Sequence, residues 1–179
     1  LTDKFKEPKT TIITVFFLGF LICLPAGILN QLSHDFFFTG TDYSENLTGS
    51  FLGPAWAEEL LKFSILYLII LKRDEFNEPM DGLVYGVVVS LGFATYENYT
   101  YVYEWASTVA KEENLDFLEF SYLVAKGRSY SAIPMHGLNG AVMGYYFGLY
   151  AFSGNKNYLA LSLILPYLFH GFYNFLGWP

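Results

Sequence analysis

Glu58, Glu59 and Lys62 stand inside a run, residues 51–71, that is otherwise almost wholly apolar. On a helix Glu58 and Lys62 lie at i,i+4 and Glu59 and Lys62 at i,i+3, so one ammonium can neutralise either carboxylate and the trio keeps about one net negative charge. The run is long enough to cross a bilayer, where each ionisable side chain costs roughly 2.5–3.5 kcal/mol on insertion scales. Three of them in one segment point to a use. In a soluble protein the same spacing would be an acidic patch on an amphipathic helix. Glu97, His136 and His170 follow, with Asn174 one turn after His170. Two histidines and a carboxylate suit a catalytic zinc that keeps an open position for water. A further glutamate nearby would be the general base, taking the proton of the attacking water and passing it to the leaving amine. Without metal, a glutamate and a histidine could polarise the water directly, while the second histidine and Asn174 donate to the developing oxyanion. Either arrangement hydrolyses an amide. Cys23, the single cysteine, lies in a different apolar run, and no Gly-x-Ser-x-Gly elbow occurs.

Each of these residues also has a structural use. Glu97 could be a buried acid bonded to a tyrosine, His136 a helix-start histidine facing water, and His170 with Asn174 a hydrogen-bonded pair. His34 falls in a polar stretch and is taken as incidental, and Asp81 reads as a helix N-cap. The medium decides between the readings. The 179 residues are 53% hydrophobic, 20% aromatic and only 15% charged, with mean hydropathy +0.31, against about 25% charged residues in soluble domains. A net charge of −7 with no basic stripe excludes a nucleic-acid reader. One cysteine excludes a disulfide framework or a cysteine metal cluster. The chain is an all-α polytopic membrane protein on these grounds.

Five apolar runs approach the ~20 residues of a crossing, at about 11–31, 51–71, 81–103, 131–152 and 157–176. Residues 34–50 read as an acidic loop with Asp35, Asp42 and Glu45. Residues 104–128 begin polar, and 115–125 is apolar but too short to cross, so it reads as an interfacial helix or lid between the third and fourth spans. Gly82, Gly86, Ser90 and Ala94 recur every four residues, as do Gly140, Gly144 and Gly148, which are small-residue faces suited to close packing in lipid. Trp178 is placed as an interfacial anchor. Asn46-Leu-Thr and Asn98-Tyr-Thr match the glycosylation pattern weakly. The chain begins at Leu1 with no signal peptide, so it reads as one domain over 1–179 that could lack upstream elements. An N-terminus in the cytoplasm puts Lys4, Lys6, Lys9, Lys72, Arg73 and Lys156 on that side and Lys111, Lys126 and Arg128 on the other, following the positive-inside tendency.

This topology makes a sharper point. Glu58 and Glu59, Glu97, His136 and His170 each fall about five to eight residues from the outer end of their span, which at 1.5 Å per residue puts all of them about 8–12 Å below the outer surface. Four antiparallel helices therefore deliver ionisable groups to one depth, and buried ionisable groups in a membrane are functional candidates by default.

Glu58-Glu59-Leu-Leu-Lys62 resembles the EExxK motif of the PrsW family of intramembrane proteases. Asp81-Gly-Leu-Val-Tyr-Gly86 with Gly92-Phe-Ala-Thr-Tyr-Glu97-Asn98 resembles that family's next signature. His136 followed by Gly144-Tyr-Tyr-Phe-Gly148 is similar to the fourth-span motif, and His170-Gly-Phe-Tyr-Asn174 to the last, where the family often carries Asp in place of Asn174. The family is related to type II CAAX prenyl proteases and bacteriocin-immunity membrane proteins. The resemblance, over about 56–176, implies a multi-pass endopeptidase of the plasma membrane. Its substrate would be a membrane-anchored protein, such as an anti-sigma factor, cut near the extracytoplasmic face. Carried over, Glu58 and Glu59 would be essential, His136 and His170 catalytic or metal-binding, and Glu97 a further site carboxylate. The reading assigns Glu58/Glu59 as base, Lys62 as the holder of the pair, and Glu97, His136 and His170 as candidate Zn2+ ligands or, without metal, as groups that orient water and oxyanion. The walls at Tyr96, Tyr99, Tyr101, Tyr145 and Tyr146 are assigned to packing, and Arg128 with 115–125 to gating. The alternatives are an ion or proton transporter, in which acids and histidines form a relay, and a non-catalytic interaction or immunity protein on the same scaffold. Against the transporter, the sequence shows no inverted repeat or paired broken helices.

Overall fold

The computed structural model describes residues 6–37 and 47–177, and the secondary structure among these residues is helical throughout. Lys4, Asp42, Glu45, the sequon at Asn46 and Trp178 lie outside the described residues. Helices α1 (Lys9–Leu21) and α2 (Cys23–Phe37) form one rod with a seam at Ile22. Pro25 accounts for the seam, since it has no N–H for the carbonyl four residues back. The rod continues because Ile22 N donates to Leu18 O at 3.0 Å and Ala26 N to Ile22 O at 3.1 Å. It also carries His34 inside α2, where the sequence had placed a loop. Residues Lys9–His34 are long and apolar enough to cross a membrane, as are Lys156–Gly177. Along the first rod Ile13, Phe17, Leu21, Leu24, Ile28 and Leu32 are each more than half exposed. A stripe of that kind is a liability in water and an ordinary surface in lipid.

The second apolar run was expected as a single helix over 51–71 and is instead broken. Residues Phe51–Ala55 form a π-helical turn in which Gly53 leaves the helical region (φ −84°, ψ −119°) ahead of Pro54. The regular helix α3 starts only at Trp56 and runs to Leu68, so Glu58 and Glu59 occupy its first turn.

Helix α4 (Pro79–Tyr99) begins with a reciprocal cap. Glu78 is the capping residue, and Asp81, expected in that role, is its partner three residues on, accepting from the backbone N–H groups of Asn77 (2.8 Å) and Glu78 (2.9 Å). The helix does not end near 103. It passes through a π-helical stretch, Thr100–Trp105, into α5 (Ala106–Glu112), because 104–112 contains neither glycine nor proline to stop it. The turn comes at Asn114, in the left-handed region at φ 52°. The short helix expected between the third and fourth spans is α6 (Phe117–Tyr130), capped by Asp116, whose carboxylate accepts from Glu119 N at 2.8 Å. None of its residues is buried. Helices α7 (Ala132–Ser153) and α8 (Lys156–Gly177) form a hairpin, with Gly154 at φ 70° ending α7 and Pro166 inside α8.

The most extensive contact is between α4 and α7, and the two small-residue faces legible in the sequence meet there. A Cβ placed on Gly144 would lie 2.0 Å from Gly82 O, and one on Gly86 would lie 2.3 Å from Gly140 O. Backbone thus rests directly on backbone. An apolar cluster including Leu66, Ile70, Tyr85, Met143 and Phe147 fills the same end of the bundle, leaving the other end of the α3, α4, α7 and α8 contacts for polar side chains.

The glycine crossing has a direct test. Gly144→Ala forces a methyl into the Gly82 carbonyl and is expected to lower stability by about 1–3 kcal/mol, read as a fall in the thermal unfolding midpoint in detergent. Gly27→Ala, inside α2 with nothing within 4 Å of the added carbon, is expected to hold or slightly raise the midpoint.

Candidate active site

Five helices contribute to one polar cluster. From α3 come Glu58, Glu59 and Lys62, from α4 Glu97 and Asn98, from α6 Arg128, from α7 His136, and from α8 His170. Glu59 and Lys62 are fully buried, and Glu58, His136 and His170 are no more than 4% exposed. Lys62 is the hub. Its Nζ donates to Glu59 Oε1 at 2.8 Å and to His136 Nδ1 at 3.1 Å, lies 3.7 Å from Glu58 Oε2, and sits 4.3 Å from the centroid of the Phe93 ring. An ammonium in a dry bundle needs several partners, and here two carboxylates, an imidazole and an aromatic face supply them.

The two imidazoles are held in opposite senses. An ammonium cannot accept, so the Lys62 contact requires the lone pair of His136 on Nδ1. Its Nε2–H then donates to Glu97 Oε2 at 2.8 Å. His170 Nδ1–H donates to Glu59 Oε1 at 2.8 Å, which leaves the Nε2 lone pair toward Glu58 Oε2, 3.9 Å away. The rings meet edge to face with centroids 5.3 Å apart. Glu97 Oε2 also accepts from Arg128 Nη2 at 2.5 Å, and Arg128 Nε donates to Asn98 Oδ1 at 2.6 Å.

In the cluster Glu58 Oε2 and Glu59 Oε2 are buried with no hydrogen-bond partner within reach, as is Asn174 Nδ2 one turn past His170. One ligand atom from each of Glu58, His136 and His170 falls within 4.8 Å of the others. Two imidazoles and a carboxylate, one oxygen of which lacks a donor, are the donor types of a zinc that keeps a fourth position open, and His136 would ligate through Nδ1 only with the Lys62 ammonium moved off it. The His170–Glu59 hydrogen bond is the outer carboxylate that commonly orients a ligating histidine. The triplet differs from the set expected from sequence. Glu97 lies outside it, because its carboxylate is bound to Arg128 and to the far nitrogen of His136, and Glu58 stands in its stead. The site also contains Phe93 beneath Lys62 and the Arg128 fork, neither of which sequence reasoning had placed there. On sequence alone Arg128 is assigned to gating instead.

Acids, imidazoles and an ammonium sealed among apolar rods suit chemistry that needs water where the medium excludes it, which is the task of an intramembrane hydrolase. The comparisons agree. The family model described as PrsW family intramembrane metalloprotease matches residues 7–179. The chain is 32% identical to Protease PrsW of Clostridioides difficile strain 630 over 176 residues, covering 96% of this chain and 68% of that protein. It is 33% identical to Protease PrsW of Oceanobacillus iheyensis, covering 98% and 74%, and 32% identical to Protease PrsW of Bacillus subtilis strain 168, again covering 98% and 74%. No solved structure matches. The chain belongs to the PrsW family of intramembrane proteases, and it is an endopeptidase of the membrane.

Removing the hub should expose its energetic role. Lys62→Met strands two buried carboxylates and is expected to cost about 3–5 kcal/mol, as breaking buried pairs does. Adding Glu59→Gln should recover part of that loss, and unfolding midpoints of the two single variants and the double variant in detergent measure the coupling.

Proposed function

We propose that the protein cleaves membrane-anchored protein substrates near the extracytoplasmic face, with water activated between Glu58 and His170. The observation that carries this reading is the convergence of Glu58, Glu59, His136 and His170 from three helices around one ammonium. The 3.9 Å between Glu58 Oε2 and His170 Nε2 is a separation that one water oxygen bridges at ordinary hydrogen-bond distance to both. Glu58 takes the proton of that water and delivers it to the leaving amine. Glu59 accepts from His170 Nδ1 and holds the ring with its Nε2 lone pair toward the water. Lys62 fixes Glu59 and limits the net charge of the pair. Asn174, one turn from His170 on α8, carries the free amide donor that would meet the oxyanion of the tetrahedral intermediate. An amide suffices there, because the position is asked to donate a hydrogen bond.

Glu58, His136 and His170 are the residues that would hold a zinc ion, which would polarise the scissile carbonyl and acidify bound water. Five crossings are the proposed topology: the α1–α2 rod, the π turn with α3, α4, α7 and α8. The N-terminus lies in the cytoplasm and α6 at the outer interface. In this orientation the cluster lies in the outer half of the bilayer, within reach of the extracytoplasmic juxtamembrane segment of a single-span substrate. An anti-sigma factor is a substrate of that shape.

Purified protein in liposomes with a membrane-anchored reporter tests the assignment. Glu58→Gln and His170→Ala are each expected to lower kcat by roughly 10²–10⁴-fold, the usual contribution of general acid–base catalysis. Full activity in both would remove these roles. If zinc is resident, dialysis against a chelator abolishes turnover, zinc restores it, and elemental analysis finds one equivalent bound. Chelator-resistant turnover by metal-free protein selects the direct glutamate–histidine route.

A further inference from the structure

We infer that Arg128 is a positioning residue for hydrolysis, acting through Glu97 on the orientation of His136. The inference rests on the site roles proposed above. Arg128 belongs to α6, an otherwise peripheral helix that buries none of its residues, yet its side chain is only 14% exposed. It reaches three positions on the adjacent rod. Nη2 donates to Glu97 Oε2, Nε donates to Asn98 Oδ1, and the guanidinium carbon lies 4.1 Å from the centroid of Tyr101. A planar fork with fixed donor directions, stacked on a ring, defines where a carboxylate sits far more narrowly than a point charge does.

The carboxylate so fixed is the one that takes the Nε2–H of His136. Glu97 Oε2 is therefore shared between Arg128 and the imidazole, and a continuous series runs from Arg128 through Glu97, His136, Lys62 and Glu59 to His170. Each member has its orientation set by its neighbour. Arg128 closes the outer end of the series. Without it the Glu97 carboxylate keeps a single donor and turns about its side-chain torsions, and His136 loses the anchor that directs Nδ1 inward. Partners of this kind, one step removed from the reacting groups, typically matter by 10–100-fold.

The test uses the intact protein in liposomes with the same reporter. Arg128→Ala is expected to lower kcat about 10–100-fold with KM within twofold of the parent. Added methylguanidinium should restore part of the rate, and methylammonium should not. Glu97→Gln should lower kcat similarly, and Arg128→Ala on that background should cause no further loss, since the two act as one unit. A raised KM with kcat unchanged would overturn the inference in favour of a role in admitting substrate, and additive losses would overturn it in favour of simple helix docking. Should the alanine variant fail to fold, Arg128→Lys carries the test. Charge is kept and the fork is lost, so a reduced kcat that is not additive with Glu97→Gln is expected, and parental kcat refutes the proposal. Full activity in Glu58→Gln and His170→Ala would instead condemn the underlying site roles, so the two failures are distinguishable.

Discussion

An ammonium shared among carboxylates in a dry interior governs this structure. Lys62 is fully buried, and an isolated cation in such a place would be prohibitive. Its contacts with Glu59, Glu58, His136 and the Phe93 ring exchange a hydration shell for fixed partners. The exchange is favourable only while the geometry is kept, because desolvation of both signs must be offset by short, well-directed contacts. Everything around Lys62 can be read as a means of keeping that geometry. The π turn ahead of α3 places both glutamates at the helix start, and Phe93 comes from α4 beneath the ammonium. The imidazoles arrive from α7 and α8 with their tautomers dictated by what faces them.

Rigid placement needs rods that cannot slide. The α4–α7 crossing supplies this through glycines whose absent side chains let carbonyls rest on Cα atoms. Contact so close has one register, because a shift of a single residue would drive a side chain into backbone. Glu97 on α4 and His136 on α7 lie beyond that crossing, and their 2.8 Å contact inherits the register. The chemistry at one end of the bundle therefore depends on residues with no chemistry at the other.

Much of this was legible in the sequence, and the unread parts share a cause. Periodic apolar runs gave α7 and α8 almost to the residue, and the glycine spacing gave the face each would present, because these features are local and repeat. The common depth of Glu58, His136 and His170 could be counted out along helices. The break at Gly53-Pro54 was in plain view, but the apolar run around it outweighed two residues. The passage of α4 into α5 was hidden by a change from apolar to polar composition, which marks the membrane boundary and not the end of the helix. Azimuth was the larger obstacle. Depth says how far down a side chain lies and nothing about which way it points, so the sequence sets Glu97 beside the histidines and Glu58 as base, whereas the packing turns Glu97 toward Arg128 and Glu58 toward His170. Arg128 itself is about thirty residues from Glu97 on a separate helix, and no spacing rule connects them.

Charge counting then distinguishes the carboxylates. With neutral imidazoles and all three carboxylates ionised, the cluster holds Glu58, Glu59 and Glu97 against Lys62 and Arg128, three negative charges against two positive. Glu97 is bound by the guanidinium and Glu59 by the ammonium, each through a short contact. Glu58 has only the ammonium at 3.7 Å and an oxygen with no donor. The unbalanced charge is therefore localised on Glu58, opposite the lone pair of His170. A low-dielectric pocket one positive charge short of neutrality favours whatever brings that charge, and the geometry restricts where it can be received. Under the proposed mechanism the same imbalance serves both routes, since a metal ion would be drawn to Glu58 for the reason that makes its carboxylate the one free to act on water.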